Sequence, residues 1–268
     1  MRQPCSLARL LASVAMTALL AAGLGGCQTM ADVTGSLTPK AEASPDADPH
    51  RSVDVYGERY RANPRDADAA LAYGQALRAA GQRAQAVAVL EQATIAHPGN
   101  KALLAGYGRA LADNGNFQQA FDVLSRAHSP EDPDWRILSV QGTVLDQLGQ
   151  HDEARRYYAS ALKIMPDEPS VLSNLGLSYV LSGDLPKAEE VLRQALGSTR
   201  ADARVRQNLA LVVGLQGRFA EAETIVRADL PADEAAANVA YLKQMLSRKD
   251  NPHAGAARVP VASLNRPD

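Results

Sequence analysis

A period of 34 residues governs this chain more than any other feature. In the stretch from Leu172 to Ala195, Leu175, Gly176 and Tyr179 are followed by Gly183, then Ala188, Leu192 and Ala195. Steps of 34 from Gly176 meet Gly142, Gly108 and Gly74 in one direction and Ala210 in the other. A second column reads Gly81, Gly115, Gly149, Gly183, Gly217, and a third reads Ala86, Ala120, Ala154, Ala188, Ala222. Three columns hold one register over five units. Self-similarity of this kind marks a solenoid, in which one supersecondary unit is stacked on its own copies.

The residue types define the unit. Apolar side chains at i, i+3, i+4 and i+7 on both sides of the central glycine have helical spacing. Glycine at position 15 suits the left-handed residue that ends one helix before the next begins. Small residues at positions 8, 20 and 27 leave room where two helices approach closely. Pro98 and Pro166 fall at position 32, where a helix has to stop. Small at 8, Ala at 20, apolar or aromatic at 24, Ala at 27 and Pro at 32 together resemble the tetratricopeptide repeat, over residues 67–236. The resemblance implies an all-α, right-handed solenoid of helix-turn-helix repeats with capping helices.

The expected organisation follows the register. Residues 51–66 form a half-repeat, since Pro64 lies 34 before Pro98 and Tyr56 lies 34 before Leu90. Repeats occupy 67–100, 101–134, 135–168, 169–202 and 203–236, and a capping helix occupies 232–247. The solenoid thus spans 51–247. Asn100, Asp132 with Pro133, and Asp167 ahead of Pro169 are the expected helix starts. The register weakens toward the end. Arg200 replaces proline at position 32, so Gly197 is expected to stop that helix, and Asp229 stands where alanine is expected. The last helix has an acidic start and a basic end, which complement its dipole. Residues 248–268, with three prolines and scattered charge, are expected to be a disordered tail.

Residues 1–26 read as a targeting segment. Arg2 and Arg9 precede the apolar run from Leu10 to Leu24, which is too short to span a bilayer comfortably. The run ends in Leu24-Gly25-Gly26-Cys27, which resembles the lipobox of bacterial lipoproteins and implies lipid attachment at Cys27. Several acyl chains anchor stably where one binds only marginally. Cleavage removes Arg2 and Arg9 and no acid, taking the net charge from −2 to −4, so no basic bias favours nucleic acid or anionic lipid. Gln28 replaces the Asp that retains such proteins in the inner membrane, so the expected location is the outer membrane, facing the periplasm. Residues 27–50 are mostly small, polar or proline with few large apolar side chains and read as a tether, about 25 Å on average and about 80 Å at full stretch. Cys5 and Cys27 both lie outside the repeats, so there is no disulfide framework.

Little in the sequence suggests chemistry. His50, His97, His128, His151 and His253 have no partners at metal-ligand spacing. His97 and His151 fall in inter-helix turns and are expected to be solvated. No glycine-rich phosphate loop, nucleophile elbow or Cys/His pair occurs, and Asp152-Glu153 and Glu189-Glu190 suit helix first turns or outer faces. We expect no catalytic residue, no metal, no cofactor and no small-molecule substrate.

Binding remains. In tetratricopeptide arrays the first helix of each pair lines the concave face through positions 2, 5, 6, 9 and 12. Carried onto this chain, those columns give Arg109, Arg136, Ser139, Thr143 and Asp146, then Asn174 and Leu177, then Gln207, Asn208 and Leu211. An Asn amide both donates and accepts, so a column of two can hold the backbone of an extended segment. Facing the groove, neither Asn is expected to matter for folding. The basic clamp that some arrays use for C-terminal carboxylates is absent.

The lipobox, the tether, five repeats and the closing LPADEAAANVAYLKQML together resemble the TadD family of tight-adherence (Flp, type IVb) pilus proteins. The segment from Asp229 to Leu246 is the most specific part of that likeness. It implies a non-catalytic, pilotin-like outer-membrane lipoprotein that binds a peptide segment of a partner. The partner would be the secretin or another subunit of the pilus machine, and the role would be assembly of the Tad pilus and its secretin. Two assignments stay open beside it: a general periplasmic scaffold for cell-wall enzymes, and an enzyme accessory whose tail inhibits or recruits a hydrolase.

Overall fold

Glycine turns between helix-forming runs give the chain its order of elements. A computed structural model describes residues 49–250; the signal segment, Cys27, nearly all of the tether and the tail past Asp250 lie outside the described residues. Helix α1 is Pro49–Ala62. The repeats supply first helices α2 (Ala67–Ala79), α4 (Lys101–Asp113), α6 (Trp135–Gln147), α8 (Pro169–Leu181) and α10 (Ala203–Leu215). Their second helices are α3 (Arg83–Ala96), α5 (Phe117–Leu124), α7 (His151–Ile164), α9 (Leu185–Leu196) and α11 (Phe219–Val226). Helix α12, Ala232–Asp250, closes the stack and carries its backbone past residue 247. Among the described residues the one strand-like feature is a bridge between Ser129 and Asp132. The protein is an all-α repeat solenoid.

Two glycine columns serve different ends. Gly81, Gly115, Gly149, Gly183 and Gly217 have φ between 73° and 84°, and a Cβ on any of them would meet nothing within 4 Å. They are glycine for backbone freedom. At position 8 the reason is space. A Cβ at Gly74 would lie 2.5 Å from Leu90, at Gly108 2.5 Å from Leu124, at Gly142 2.6 Å from Tyr158, and at Gly176 2.7 Å from Leu192. Position 24 therefore fills the hole left by position 8, and the alanines at position 20 are buried beside it.

Helix starts differ from the sequence expectation in two repeats. Asn100 caps α4 as expected, accepting from the Leu103 amide at 3.1 Å. In the third repeat Asp134, not Asp132, is the cap; it accepts from the Arg136 amide at 2.7 Å, while Asp132 takes Lys101 Nζ at 3.0 Å. In the fourth, Glu168 holds the cap position without a side-chain cap bond. Asp167 is one residue too early to reach the orphan amides. It adopts φ 55° and accepts from Gln194 Nε2 at 2.9 Å.

Helices α5 and α11 have 8 residues each, shorter than the other second helices. After α5, Pro130 and Pro133 supply no amide donors. After α11, Asp229 turns to Arg206 (Nε to Oδ2, 2.6 Å) and Pro231 follows.

Successive first helices pack on one another: α2 on α4, α4 on α6, α6 on α8 and α8 on α10. The second helices touch first helices on either side and make no comparable contact among themselves. The first helices therefore line the inner side of the stack.

Candidate partner-binding face

The inner face is tied from repeat to repeat by side chains. Asn174 Nδ2 donates to Ser139 Oγ at 3.2 Å, and Asn208 Nδ2 donates to Ser173 Oγ at 2.8 Å. Each bond joins position 6 of one repeat to position 5 of the repeat before. The two amides thus have a role in stacking, contrary to the expectation that folding would not need them. Their Oδ1 atoms accept from no other described residue; Asn174 is buried and Asn208 half-buried, so Asn208 offers its oxygen to a ligand more openly than the expected groove residue Asn174.

Between repeats 3 and 4 the seam deepens. The Asp146 carboxylate, almost wholly buried, accepts from Tyr158 Oη at 3.0 Å and Ser178 Oγ at 2.8 Å, and His151 Nδ1 lies 2.9 Å away. Burial, reinforced by the Asp146 charge, pushes the Tyr158 hydroxyl well above its usual range, which keeps it a donor. Thr143 donates to the Ser139 carbonyl at 3.1 Å, and its Oγ1 lies 3.3 Å from Tyr158 Oη. Ser139 is fully buried. Asp146 and Ser139 therefore hold the joint from inside, and of the repeat-3 residues expected on the face Arg136 and Thr143 keep partial exposure.

His97 and His151 are not merely solvated, as their turn positions had implied. His97 Nε2 lies 2.7 Å from the Arg65 carbonyl, and His151 joins the Asp146 cluster. His128 Nε2 meets Gln141 Oε1 at 2.9 Å, and Gln141 Nε2 donates to Ser125 Oγ at 3.0 Å. His128 and His151 tie their segments to α6, whereas His97 joins the turn after α3 to the turn before α2.

Toward the start of the stack the face is cationic. Arg78 Nε donates to Asp113 Oδ2 at 2.6 Å. Arg136 lies over the Trp135 ring, 4.6 Å from its centroid. Between them Arg109 has Nε buried without a hydrogen-bond partner. Among the described residues its two Nη atoms have no hydrogen bond either, and they keep contact with solvent. Burial first, then the nearby Arg78, pulls its pKa down to about 10. A depression of that size corresponds to about 3 kcal/mol against the charged form. Sequence reasoning placed Arg109 on the face but not its burial, because the groups that enclose it come from neighbouring repeats.

Toward the other end the face is apolar. Leu177 is half-buried, Leu181 is 53% exposed and Leu211 is 37% exposed, with Gln207 exposed beside them. Leu177 and Leu181 are four apart and share one side of α8. Among the described residues no group of His, Cys, Asp and Glu is arranged to hold a metal ion, and no helix is long and apolar enough to cross a membrane.

A stack of helix pairs with a continuous inner face of mixed polarity defines a helical-repeat protein-interaction scaffold. Two family models described as tetratricopeptide repeat match it, one at residues 77–141 and 147–212, the other at 135–157 and 203–228; together they cover 77–228 without a break, and the chain belongs to the tetratricopeptide-repeat family. A fold of this kind typically serves as a non-catalytic interaction scaffold, and neither matching model is a catalytic family. Comparison with curated proteins finds no match.

Solved structures share the fold. PilW, described as a widely conserved type IV pilus biogenesis factor, is 18% identical with a TM-score of 0.61, covering 72% of this chain and 90% of its own. TTC0263, a tetratricopeptide-repeat protein of Thermus thermophilus, is 22% identical with a TM-score of 0.59, covering 67% of this chain and all of its own. A chain of the APC/C hetero-tetramer Cut9-Hcn1 is 18% identical with a TM-score of 0.61; the match covers 77% of this chain but only 41% of that one.

Proposed function

We propose that this protein is a non-catalytic scaffold that lays an extended segment of a partner protein along its first-helix face. The observation that carries this is the row of uncommitted groups on that face: the Asn174 and Asn208 carbonyl oxygens beside the exposed Leu181 and Leu211. Amide oxygens accept from a peptide backbone without selecting its side chains, and leucines bury alternate apolar residues. The finer assignment rests on the sequence. The Leu24-Gly25-Gly26-Cys27 lipobox and the closing stretch from Asp229 to Leu246 support a lipoprotein attached through Cys27, facing the periplasm from the outer membrane, that assists assembly of a Flp-type pilus and its secretin. PilW supplies an example of a similar fold in pilus biogenesis.

The test is a pair of variants in cells that make the pilus. Leu181→Lys with Leu211→Lys replaces exposed side chains and is expected to leave the helical circular dichroism and Tm unchanged while reducing secretin multimers and surface pili. Cys27→Ser is expected to leave unprocessed or soluble precursor in place of membrane-bound protein. Normal piliation with the leucine variant stably present removes the groove from consideration. Crosslinked capture of cell-wall enzymes in place of secretin peptides transfers the assignment to the general scaffold.

A further inference from the structure

The inner face changes character along its length, and the change specifies the chemistry of what it holds. We propose that the Arg109 guanidinium receives an acidic side chain of the bound segment, whose chain then runs on across Leu177, Leu181 and Leu211. This rests on the groove assignment above and deepens it.

The carboxylates near Arg109 are already engaged. Asp113 accepts from Arg78 Nε, and Asp134 caps α6 through the Arg136 amide. Arg136 has no carboxylate partner among the described residues and stacks on Trp135. Three guanidiniums therefore stand near one another, and the middle one has no hydrogen bond to any described residue. A largely desolvated cation without a hydrogen-bonded partner costs stability, and replacing such a group by an apolar one is often neutral or favourable. Its two Nη atoms present a fork that matches a carboxylate. At the other end Arg204, at the same position 2 as Arg136, already pairs with Asp202 (Nε to Oδ2, 3.5 Å), so the two ends ask for different ligand groups.

An internal acidic residue fits better than a chain terminus. Arg109 lies in the second repeat, and the amides suited to a terminal backbone, Asn174 and Asn208, belong to repeats 4 and 5. The spacing is also defined. Arg109 and Leu177 both occupy position 9, two repeats apart. Packed helices lie about 8–10 Å apart, so the gap is about 16–20 Å. An extended chain covers that in about five or six residues at roughly 3.3 Å each. The ligand is thus an extended segment with Asp or Glu about five or six residues from a leucine-like side chain.

Twelve-residue, C-terminally amidated peptides with one leucine pair, and with Glu or its isostere Gln placed three to eight residues away, provide the probe. Binding to the full-length protein is read by fluorescence anisotropy. Wild type is expected to prefer Glu over Gln by tenfold or more, most strongly at a spacing of five or six. Arg109→Met is expected to abolish that preference while raising Tm, which a residue needed only for structure would not do. Arg109→Lys, which keeps the charge but loses the fork, is expected to retain part of it. Equal binding of Glu and Gln peptides by wild type overturns the proposal and leaves the groove assignment standing, as does an acidic preference that survives in Arg109→Met. Selection of a free C-terminal carboxylate over the internal Glu also overturns it. Failure of every peptide to bind wild type removes the groove assignment as well.

Discussion

The joints between repeats 1 and 2 and between repeats 3 and 4 have the same register and opposite chemistry. At the first, α2 and α4 meet through apolar contact: a Cβ on Gly106 would lie 2.7 Å from Leu71, and one cluster of buried side chains runs continuously from α2 to α6. At the second, α6 and α8 are linked by Asn174 to Ser139 and by Ser178 to Asp146, and the apolar core of that half divides into smaller clusters. The period fixes where helices meet but not what they meet with. An apolar joint depends on shape, whereas a buried hydrogen-bonded joint makes any mismatch costly, since a missed partner is left unsatisfied.

The sharpest way to separate the two joints is to overfill both. Gly106→Leu drives a side chain into Leu71 across the first joint and is expected to cost about 1–3 kcal/mol by overpacking. Gly142→Leu displaces Tyr158, whose hydroxyl serves the buried Asp146, and is expected to cost more, about 3–5 kcal/mol. At roughly 2–4 °C per kcal/mol for a body of this size, thermal melts followed by circular dichroism resolve the two. Equal losses would show that the polar joint adds nothing to the steric one.

Tyr158→Phe is milder. It removes one donor to Asp146 and keeps the ring, and is expected to lower stability by about 1.5–3 kcal/mol, read from the urea midpoint. Smaller still is Asn174→Ala with Asn208→Ala, which deletes two inter-repeat bonds at about 0.5–1.5 kcal/mol each. An unchanged Tm in the double variant would return the amides to ligand binding alone.

The smallest effect is expected in acid. Hydrogen bonds from Arg218, with help from Arg193 and Gln216, pull the Glu189 carboxyl down to about 2. Arg193 and Arg218 lower Glu221, and Arg206 lowers Asp229. Folded values below the unfolded ones mean stability that is present above the ordinary carboxylate range near 4.5 and lost as pH falls toward 2. These groups all belong to repeats 4 and 5, so pepsin cleavage at pH 3, mapped by mass spectrometry, is expected to concentrate after residue 184.

What was legible in the sequence is what recurs. Gly81 through Gly217 announced the turns and Gly74 through Gly176 the close approaches, because each geometric demand is repeated at every unit and answered by the same residue. The buried Asp146 cluster, unlike the repeated Asn–Ser bond, occurs in one place. Asp146 meets Tyr158 twelve residues on and Ser178 thirty-two on, at two spacings that no column shares. Arg109 likewise looks like any surface arginine until its neighbours are folded around it. The caps misjudged at Asp132 and Asp167 fell within one or two residues of the true ones, where two acids near a proline compete for one role.

The fourth repeat carries both halves of the inter-repeat bond, Ser173 at position 5 and Asn174 at position 6. A tandem duplication of residues 169–202 would therefore keep this bond at both new joints: the new Asn would find Ser173, and Asn208 would find the new serine. Gene duplication of this one module lengthens the array by a whole unit while keeping this bond, but sets the new copy of Ser178 against Val180. Deletion would leave the buried Asp146 facing Val212 in place of Ser178. In such a lineage the number of units is a heritable ruler, set by copying, for how long a guest the protein accommodates.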